Sequence, residues 1–246
     1  MRKSAVKSLL LLVFGLGLMV STAVAVDFQK SYTIGAGGRI RVQNVSGNIV
    51  VTGYDGNSIM VTATKEGRDR DLVTIEDRST ADTVDLSVEY PHKGNVNASV
   101  DFDIRVPRAV EYNFGRLVSV SGNIQVTDVI GNLQVDCVSG NVDVSGVSGV
   151  VSASAVSGNV NVDLKKAGSG NMKFSSVSGD VDVRAPANLD ADVEMSTISG
   201  SLKTDFQLEV HEPRYGPGRS ARGRLGSGEH SLRITTVSGR VSLTRT

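Results

Sequence analysis

A β-branched residue, a serine and a glycine recur in a row along this chain, at Val45, Val120, Val138, Val147, Val156, Val177, Ile198 and Val237. From Val120 the spacing is nine residues for five units in succession, beginning at 120, 129, 138, 147 and 156. The same frame resumes at 168, 177, 189, 198, 228 and 237, and three spacers interrupt it, at 165–167, 186–188 and 207–227. Such a period constrains the fold more than any single motif, because each unit must bury its apolar side against copies of itself.

Within a unit, positions 1, 3, 5 and 7 are apolar or Gly, as in Val120, Gly122, Ile124 and Val126 or in Leu189, Ala191, Val193 and Met195. That alternation is a strand with one buried face. Nine is odd, so uninterrupted alternation would turn the next unit's apolar set outward. The register nevertheless returns, which requires a corner near positions 8 and 9. Short strand, corner, short strand predicts an all-β fold, a β-solenoid or β-helix-like stack.

Alternate units differ. Those starting at Val120, Val138, Val156, Val177, Ile198 and Val237 all carry the full triplet, whereas those at Val129, Val147, Gly168, Leu189 and Gly228 are looser, with the triplet at Val147 alone. Every spacer falls just before a looser unit. The coil is therefore two units, about 18 residues, with one strand on each of two stacked sheets and all insertions leaving from one edge. The Gly of the triplet fits a positive φ or a close approach of stacked backbones. The residue after it reads Asn123, Asn141, Asn159, Asp180, Ser201 and Arg240, and stacked Asn side chains form hydrogen-bonded ladders.

The stretch 26–117 is also β but less regular, and is expected to provide the N-terminal cap of a solenoid over 118–246 within one continuous domain. Val84-Leu86-Val88-Tyr90 and Val100-Phe102-Ile104-Val106 alternate there, and 65–78 is densely charged. Residues 1–25 read as an export signal. Arg2, Lys3 and Lys7 precede an uncharged apolar run from Leu9 to Val20, and Ala23-Val24-Ala25 suits cleavage. The run is short for a membrane span; the alternative is that it is retained as an anchor. Its removal leaves 23 basic against 26 acidic residues. No strong field draws such a chain to nucleic acid or anionic lipid. Cys137 is the only cysteine, so no internal disulfide is possible.

No residue pattern of an enzyme class is present. His92, His211 and His230 lack metal-ligand spacing, and neither a nucleophile elbow nor a phosphate loop occurs. The calcium-binding nonapeptide needs more Gly and Asp per unit than this one has. No cofactor and no metal site is expected. Two sets of residues are candidates for contact with a partner. The first is the outward face of the full-triplet units, with Asn141, Asp143, Asn161 and Asp182. Asp163, Arg184 and Asp205 lie two positions further on or in the next unit, and Asp182, Arg184 and Asp205 on adjacent coils would suit an enzyme acting on acidic polysaccharide. The second is the spacer 207–227, read as a basic loop with Arg214, Tyr215, Arg219, Arg222 and Arg224 among Gly and Pro, composed to meet sugar, phosphate or an acidic surface.

Several stretches resemble the bacterial "putative adhesin" family, a domain of unknown function made of β-strand repeats. They are Gly37-Gly38-Arg39-Ile40-Arg41-Val42 running into Val45-Ser46-Gly47-Asn48-Ile49, and Gly53-Tyr54-Asp55-Gly56. Ile104-Arg105-Val106-Pro107 before Val118–Ile124 belongs with them, as does Arg224-Leu225-Gly226-Ser227-Gly228 leading into Thr236-Val237-Ser238-Gly239. The resemblance spans nearly the whole chain after residue 25 and implies an exported β-solenoid. Together these features predict a non-catalytic binding protein of the periplasm, envelope or cell surface, its partner an envelope or surface component such as a glycan. The alternatives are a polysaccharide-acting β-helix enzyme and a structural or sensory envelope accessory.

Overall fold

The structure, a computed structural model, describes residues 26–91, 94–213 and 216–246. The expected signal at 1–25 and the candidates Arg214 and Tyr215 lie outside the described residues. Among these residues no helix is long and apolar enough to cross a membrane.

The chain opens with β1 (Phe28–Tyr32) and makes coil 1 from β2 (Arg39–Ser46) and β3 (Ile49–Tyr54). β4 (Ile59–Glu66) and β5 (Thr74–Asp77) precede coil 2, which is β6 (Thr83–Glu89) with β7 (Ser99–Pro107). Coils 3 to 6 follow in succession. They are β8 (Glu111–Ser121) with β9 (Ile124–Thr127), β10 (Ile130–Ser139) with β11 (Val142–Gly149), β12 (Val151–Ser157) with β13 (Val160–Ala167), and β14 (Met172–Ser178) with β15 (Val181–Ala185). Coil 7 is β16 (Ala191–Ser199) with β17 (Leu202–Thr204). A hairpin, β18 (Glu209–His211) and β19 (Arg219–Leu225), leads to coil 8, β20 (Ser231–Ser238) with β21 (Val241–Arg245).

The first strand of each coil lies in one sheet and the second in the sheet stacked on it, joined to their neighbours by parallel pairing. Ile124 pairs with Val142 and Val142 with Val160, a step of 18 residues. Val160 then pairs with Val181, the step lengthened by the spacer at 165–167. The expected all-β solenoid of 18-residue coils is thus the fold, with the three repeat spacers at one corner and residues 90–98 of coil 2 inserted at the other.

The coils do not stack in chain order. Coil 1 sits between coils 2 and 3, because β2 pairs with both β6 and β8 and β3 with both β7 and β9. Coil 8 enters between coils 6 and 7: β20 pairs with β14 and β16, and β21 with β15 and β17. The order along the stack is 2-1-3-4-5-6-8-7, exchanged at both ends. Antiparallel strands then cover the exposed ladders, which blunts edges that would otherwise template another chain. β5 lies on β6, β4 on β7 and β1 on β4 at one end; β19 lies on β16 and β18 on β19 at the other.

The core is the space between the sheets. Val42, Leu117, Val135, Ala153, Phe174, Ile234 and Met195 form one continuous row, all buried. Ile49, Ile124, Val142, Val160, Val181 and Val241 form another on the second sheet. Ala153 beside Phe174 sets a small residue against a large one, as close packing requires. Burying each Val or Leu stabilises by about 1.5–3 kcal/mol, so the core carries the fold without a disulfide.

The triplets form one corner of every coil they occupy. Gly122, Gly140, Gly158, Gly179 and Gly239 have φ between 146° and 156°. A Cβ on Gly140 would stand 2.3 Å from the carbonyl oxygen of Gly122, and one on Gly158 2.1 Å from that of Gly140. Both expected reasons for Gly, positive φ and backbone approach, therefore hold at once. The Asn ladder runs from side chain to main chain rather than between side chains. The Oδ1 of Asn123 accepts from the N–H of Asn141, and that of Asn141 from the N–H of Asn159, each at 2.9 Å.

Three expectations from the sequence are corrected here. First, the apolar residue that opens the triplet faces solvent rather than the core at every coil's triplet corner: Val45, Val120, Val138, Val156, Val177, Ile198 and Val237 are all exposed, whereas Val147, at the opposite corner, is buried. The corner begins at that residue, so the parity resets across the triplet itself, with a second corner near Asp128, position 9 of its unit. There Asp128 takes φ 53°, a left-handed conformation that Asp tolerates, at the place where the next coil has Gly146 at φ 67°. Second, the division at 117/118 falls inside β8; the solenoid already begins at β2, and only β1, β4 and β5 act as N-terminal cap. Third, the 207–227 spacer is not loop throughout: β18 and β19 are strands, and β19 pairs along its whole length with β16.

Candidate functional site

The outward face of the second sheet brings polar side chains together in register. Asp143, Asn161, Asp182, Ser242 and Lys203 are successive pairing partners across β11, β13, β15, β21 and β17. Two positions further on, Asp163, Arg184 and Thr244 form a second row beside Ser145. Alternation puts these residues outside because their neighbours Val142, Val144, Val160, Val162, Val181 and Val183 fill the core. Strands about 4.8 Å apart thus present one polar group per step. The two rows line a groove of about 610 Å³, into which Arg240 also projects.

Three acids and three bases line the groove, so its net charge is near zero. Asn161 donates to Asp143 Oδ1 at 2.8 Å. Arg240 holds Asp182 with two nitrogens, at 2.9 and 3.3 Å, and reaches Asp180 at 3.1 Å. The bonds to Asp182, with the charges of Asp182 and Asp180, push the Arg240 guanidinium further above its already high pKa. Asp163, Arg184 and Lys203 have no ion-pair partner among the described residues, which leaves them free for a ligand. No aromatic residue lines the groove. Recognition there rests on hydrogen bonds and charge rather than on stacking.

Of the sequence candidates, Asn141, Asp143, Asn161 and Asp182 stand on neighbouring coils as expected. Asn141 belongs to the corner ladder and the other three to the groove. Asp182, Arg184 and Asp205 are not gathered. Coil 8 lies between coils 6 and 7 and separates β15 from β17, and Asp205 is turned to the main-chain N–H of Arg245 at 3.3 Å. Among the described residues no group of three or more His, Cys, Asp or Glu is placed to hold a metal.

The arginines of the hairpin are largely engaged. Arg222 pairs with Glu194 at 2.7 Å, and Arg233 holds the other oxygen of that carboxylate at 2.6 Å. Arg219 pairs with Glu212 at 3.1 Å and also donates to the carbonyl of Gly200. Arg224 stands across from Asp192 in the β16–β19 register.

The contact with Gly200 completes a pattern the sequence reading missed. Just before five of the triplets lies an inward residue whose side chain donates to the Gly carbonyl of the neighbouring coil, Ala155 standing at that place in coil 5. Ser119 serves Gly47 at 3.2 Å, Cys137 Gly122 at 3.2 Å, Ser176 Gly158 at 2.9 Å, Thr236 Gly179 at 2.9 Å and Thr197 Gly239 at 3.0 Å. Gly200 has no further coil beyond it, and Arg219 supplies the donor instead. Cys137 is thus one rung of this series; burial pushes its thiol up in pKa, away from the reactive thiolate. The signal was present as a run of small, mostly polar residues one position ahead of the triplets.

The chain is thus a two-sheeted parallel β-solenoid with a polar, charge-balanced groove on one face. Residues 30–244 match the Toastrack DUF4097 family, and the chain belongs to it. Similar solved structures include a "putative cell adhesion protein" from Clostridium sporogenes, at 12% identity and TM-score 0.48, covering 89% of this chain and 99% of that one. Another is a "putative adhesin" from Bacteroides fragilis, at 15% identity and TM-score 0.44, covering 89% and 96%. A third is a "putative lipid binding protein" from Parabacteroides distasonis, at 15% identity and TM-score 0.37, again covering 89% and 96%. No curated protein matches the chain.

Proposed function

We propose that this protein is an exported, non-catalytic binder of the cell envelope or surface, and that it takes an extended glycan along the groove of the second sheet. One observation carries the reading: five adjacent strands bring Asp143, Asn161, Asp182, Ser242 and Lys203 into a single row, of which only Ser242 is buried. A row of donors and acceptors at strand spacing fits a linear polymer whose hydroxyls recur at a similar interval. The balance of three acids and three bases favours a neutral or zwitterionic chain over a strongly acidic one. The engagement of Arg219 and Arg222 with Glu212 and Glu194 moves the hairpin behind the groove as a binding surface. Asp182 is neutralised by Arg240 and Asp205 is turned away, which favours a binder over a hydrolase.

The test is a screen of purified envelope and extracellular glycans, followed by calorimetry on the best ligand. Asn161→Ala with Arg184→Ala is expected to weaken binding at least tenfold, and Arg224→Ser to leave it unchanged. Equal binding by the groove variant would overturn the assignment. Release of new reducing ends from the bound glycan would replace it with the enzyme reading.

A further inference from the structure

Except at Val147, which is buried at the opposite corner, the apolar residue of each named triplet is outward, and the registers on either side place these residues in one file. Val45, Val120, Val138, Val156, Val177, Val237 and Ile198 follow one another along coils 1, 3, 4, 5, 6, 8 and 7. At about 4.8 Å per coil the file is roughly 29 Å long. Other outward positions in the same strands are polar or charged apart from Val118 and Ile130, yet this one is Val or Ile in all seven coils. Strand propensity does not demand that, since Thr is as good a strand former and would cost no exposed apolar surface. In coil 2 the equivalent place is Glu89, two residues beyond the pairing of Gln43 with Ser87, and there the file ends on a charge.

We propose that this ridge is a self-association surface whose occupant is the same ridge of a second copy. The first argument is the period. A second copy is a partner certain to present Val side chains at the identical spacing, so the residues of one file seat between those of the other, as in a dry zipper of identical strands. The second is area. At 42–55% exposure each side chain leaves roughly 70 Å² uncovered, so the file offers on the order of 500 Å². Two files face to face bury about 1,000 Å², the lower bound of a specific interface. The contact is therefore reversible rather than obligate. The third is charge. The triplets are uncharged, and the chain after residue 25 carries 23 basic against 26 acidic residues, so two copies meet with little mutual repulsion.

The experiment uses the protein purified from an expressing bacterium, with the N-terminus that processing leaves. Sedimentation velocity from about 1 to 100 μM, the range in which a contact of this area dissociates, is expected to show a monomer passing to a dimer. Val120→Lys with Val156→Lys should abolish the dimer while keeping the β circular-dichroism spectrum; should that pair misfold, Val120→Ser with Val156→Ser is the milder form. In a Cys137→Ser background, which copies the Ser already found at 119 and 176, Val156→Cys at the centre of the file should cross-link to dimer on mild oxidation. A monomer at every concentration, undiminished association of a folded ridge variant, or no cross-link overturns the proposal.

Discussion

The two corners of each coil obey different rules. At the triplet corner coils 1 and 3 to 8 turn through the same few residues with nothing inserted, and up to three sets of bonds bind each to its neighbours. These are the main-chain ladder, the Asn or Asp side chain to the next N–H, and the inward Ser, Cys or Thr to the next Gly carbonyl. Coil 2, which has no triplet, is the exception, with residues 90–98 between β6 and β7. The opposite corner takes the other insertions: the β4–β5 segment before coil 2, three residues before coil 6, three before coil 7 and the hairpin before coil 8. Length is fixed where the triplet's bonds run through the turn, and free where they do not. A repeat protein can therefore grow its loops on one edge without disturbing its stack.

The comparison breaks most readily by insertion. Gly-Ser-Gly placed between Gly140 and Asn141 is expected to prevent folding or to lower the thermal midpoint by more than about 10 °C. The same insert between Gly168 and Ser169, at the opposite corner, should change it by only a few degrees. Similar losses at both sites would mean that the corners are equivalent.

Substitution probes the triplet corner more finely. Gly140→Val sets a branched side chain against the Gly122 carbonyl at 2.3 Å and at φ 146°, and is expected to cost about 3 kcal/mol or more in a denaturant titration. Asn141→Ala removes one acceptor from the N–H of Asn159 at an exposed position, a loss of about 1 kcal/mol. Equal midpoints for the two would refute the stacked-glycine account.

The smallest effect belongs to the end of the ladder. Arg219→Ser leaves the Gly200 carbonyl without its guanidinium, but water can reach a residue this exposed. The cost should be about 1 kcal/mol or less, with faster amide exchange confined to coil 7 and the hairpin. Exchange that rises equally in coils 3 to 6 would remove Arg219 from its place as terminal cap.

What the sequence made legible was what repeats. The coil length, the two sheets and the single edge for the three spacers follow from spacing alone, and the pairing of Ile124 with Val142 answers to that spacing. The order of the coils does not follow from it. The triplets at Val177, Ile198 and Val237 are interchangeable as text, and nothing local says that Val237 stacks between the other two. Val120 was assigned inward because alternation cannot locate a parity change inside a run of small residues. The hairpin was hidden for another reason. Arg219–Leu225 has no apolar alternation of its own, and its strand character comes from pairing with β16, as where Arg222 meets Glu194. The groove was half visible: Asp143, Asn161 and Asp182 could be named from the period, but Ser242 and Lys203 join them only because coil 8 enters the stack out of turn.

That exchanged order at both ends bears on how the molecule comes apart. In a stack wound strictly in chain order, each terminus belongs to an outermost layer, and the chain can unzip from its tips one coil at a time. Here the last strand, β21, is gripped by β15 on one side and β17 on the other, and near the other terminus β2 is held between β6 and β8. Once the edge strand β1 has come off β4, fraying at either end must first lift away a layer that lies elsewhere in the chain. An exoprotease or a pull on the C-terminus therefore meets a strand bonded along both edges, which makes unravelling a matter of breaking two ladders together. The same arrangement makes the C-terminal coil indispensable to its neighbour, since coil 7 has no seat on the stack until coil 8 is in place.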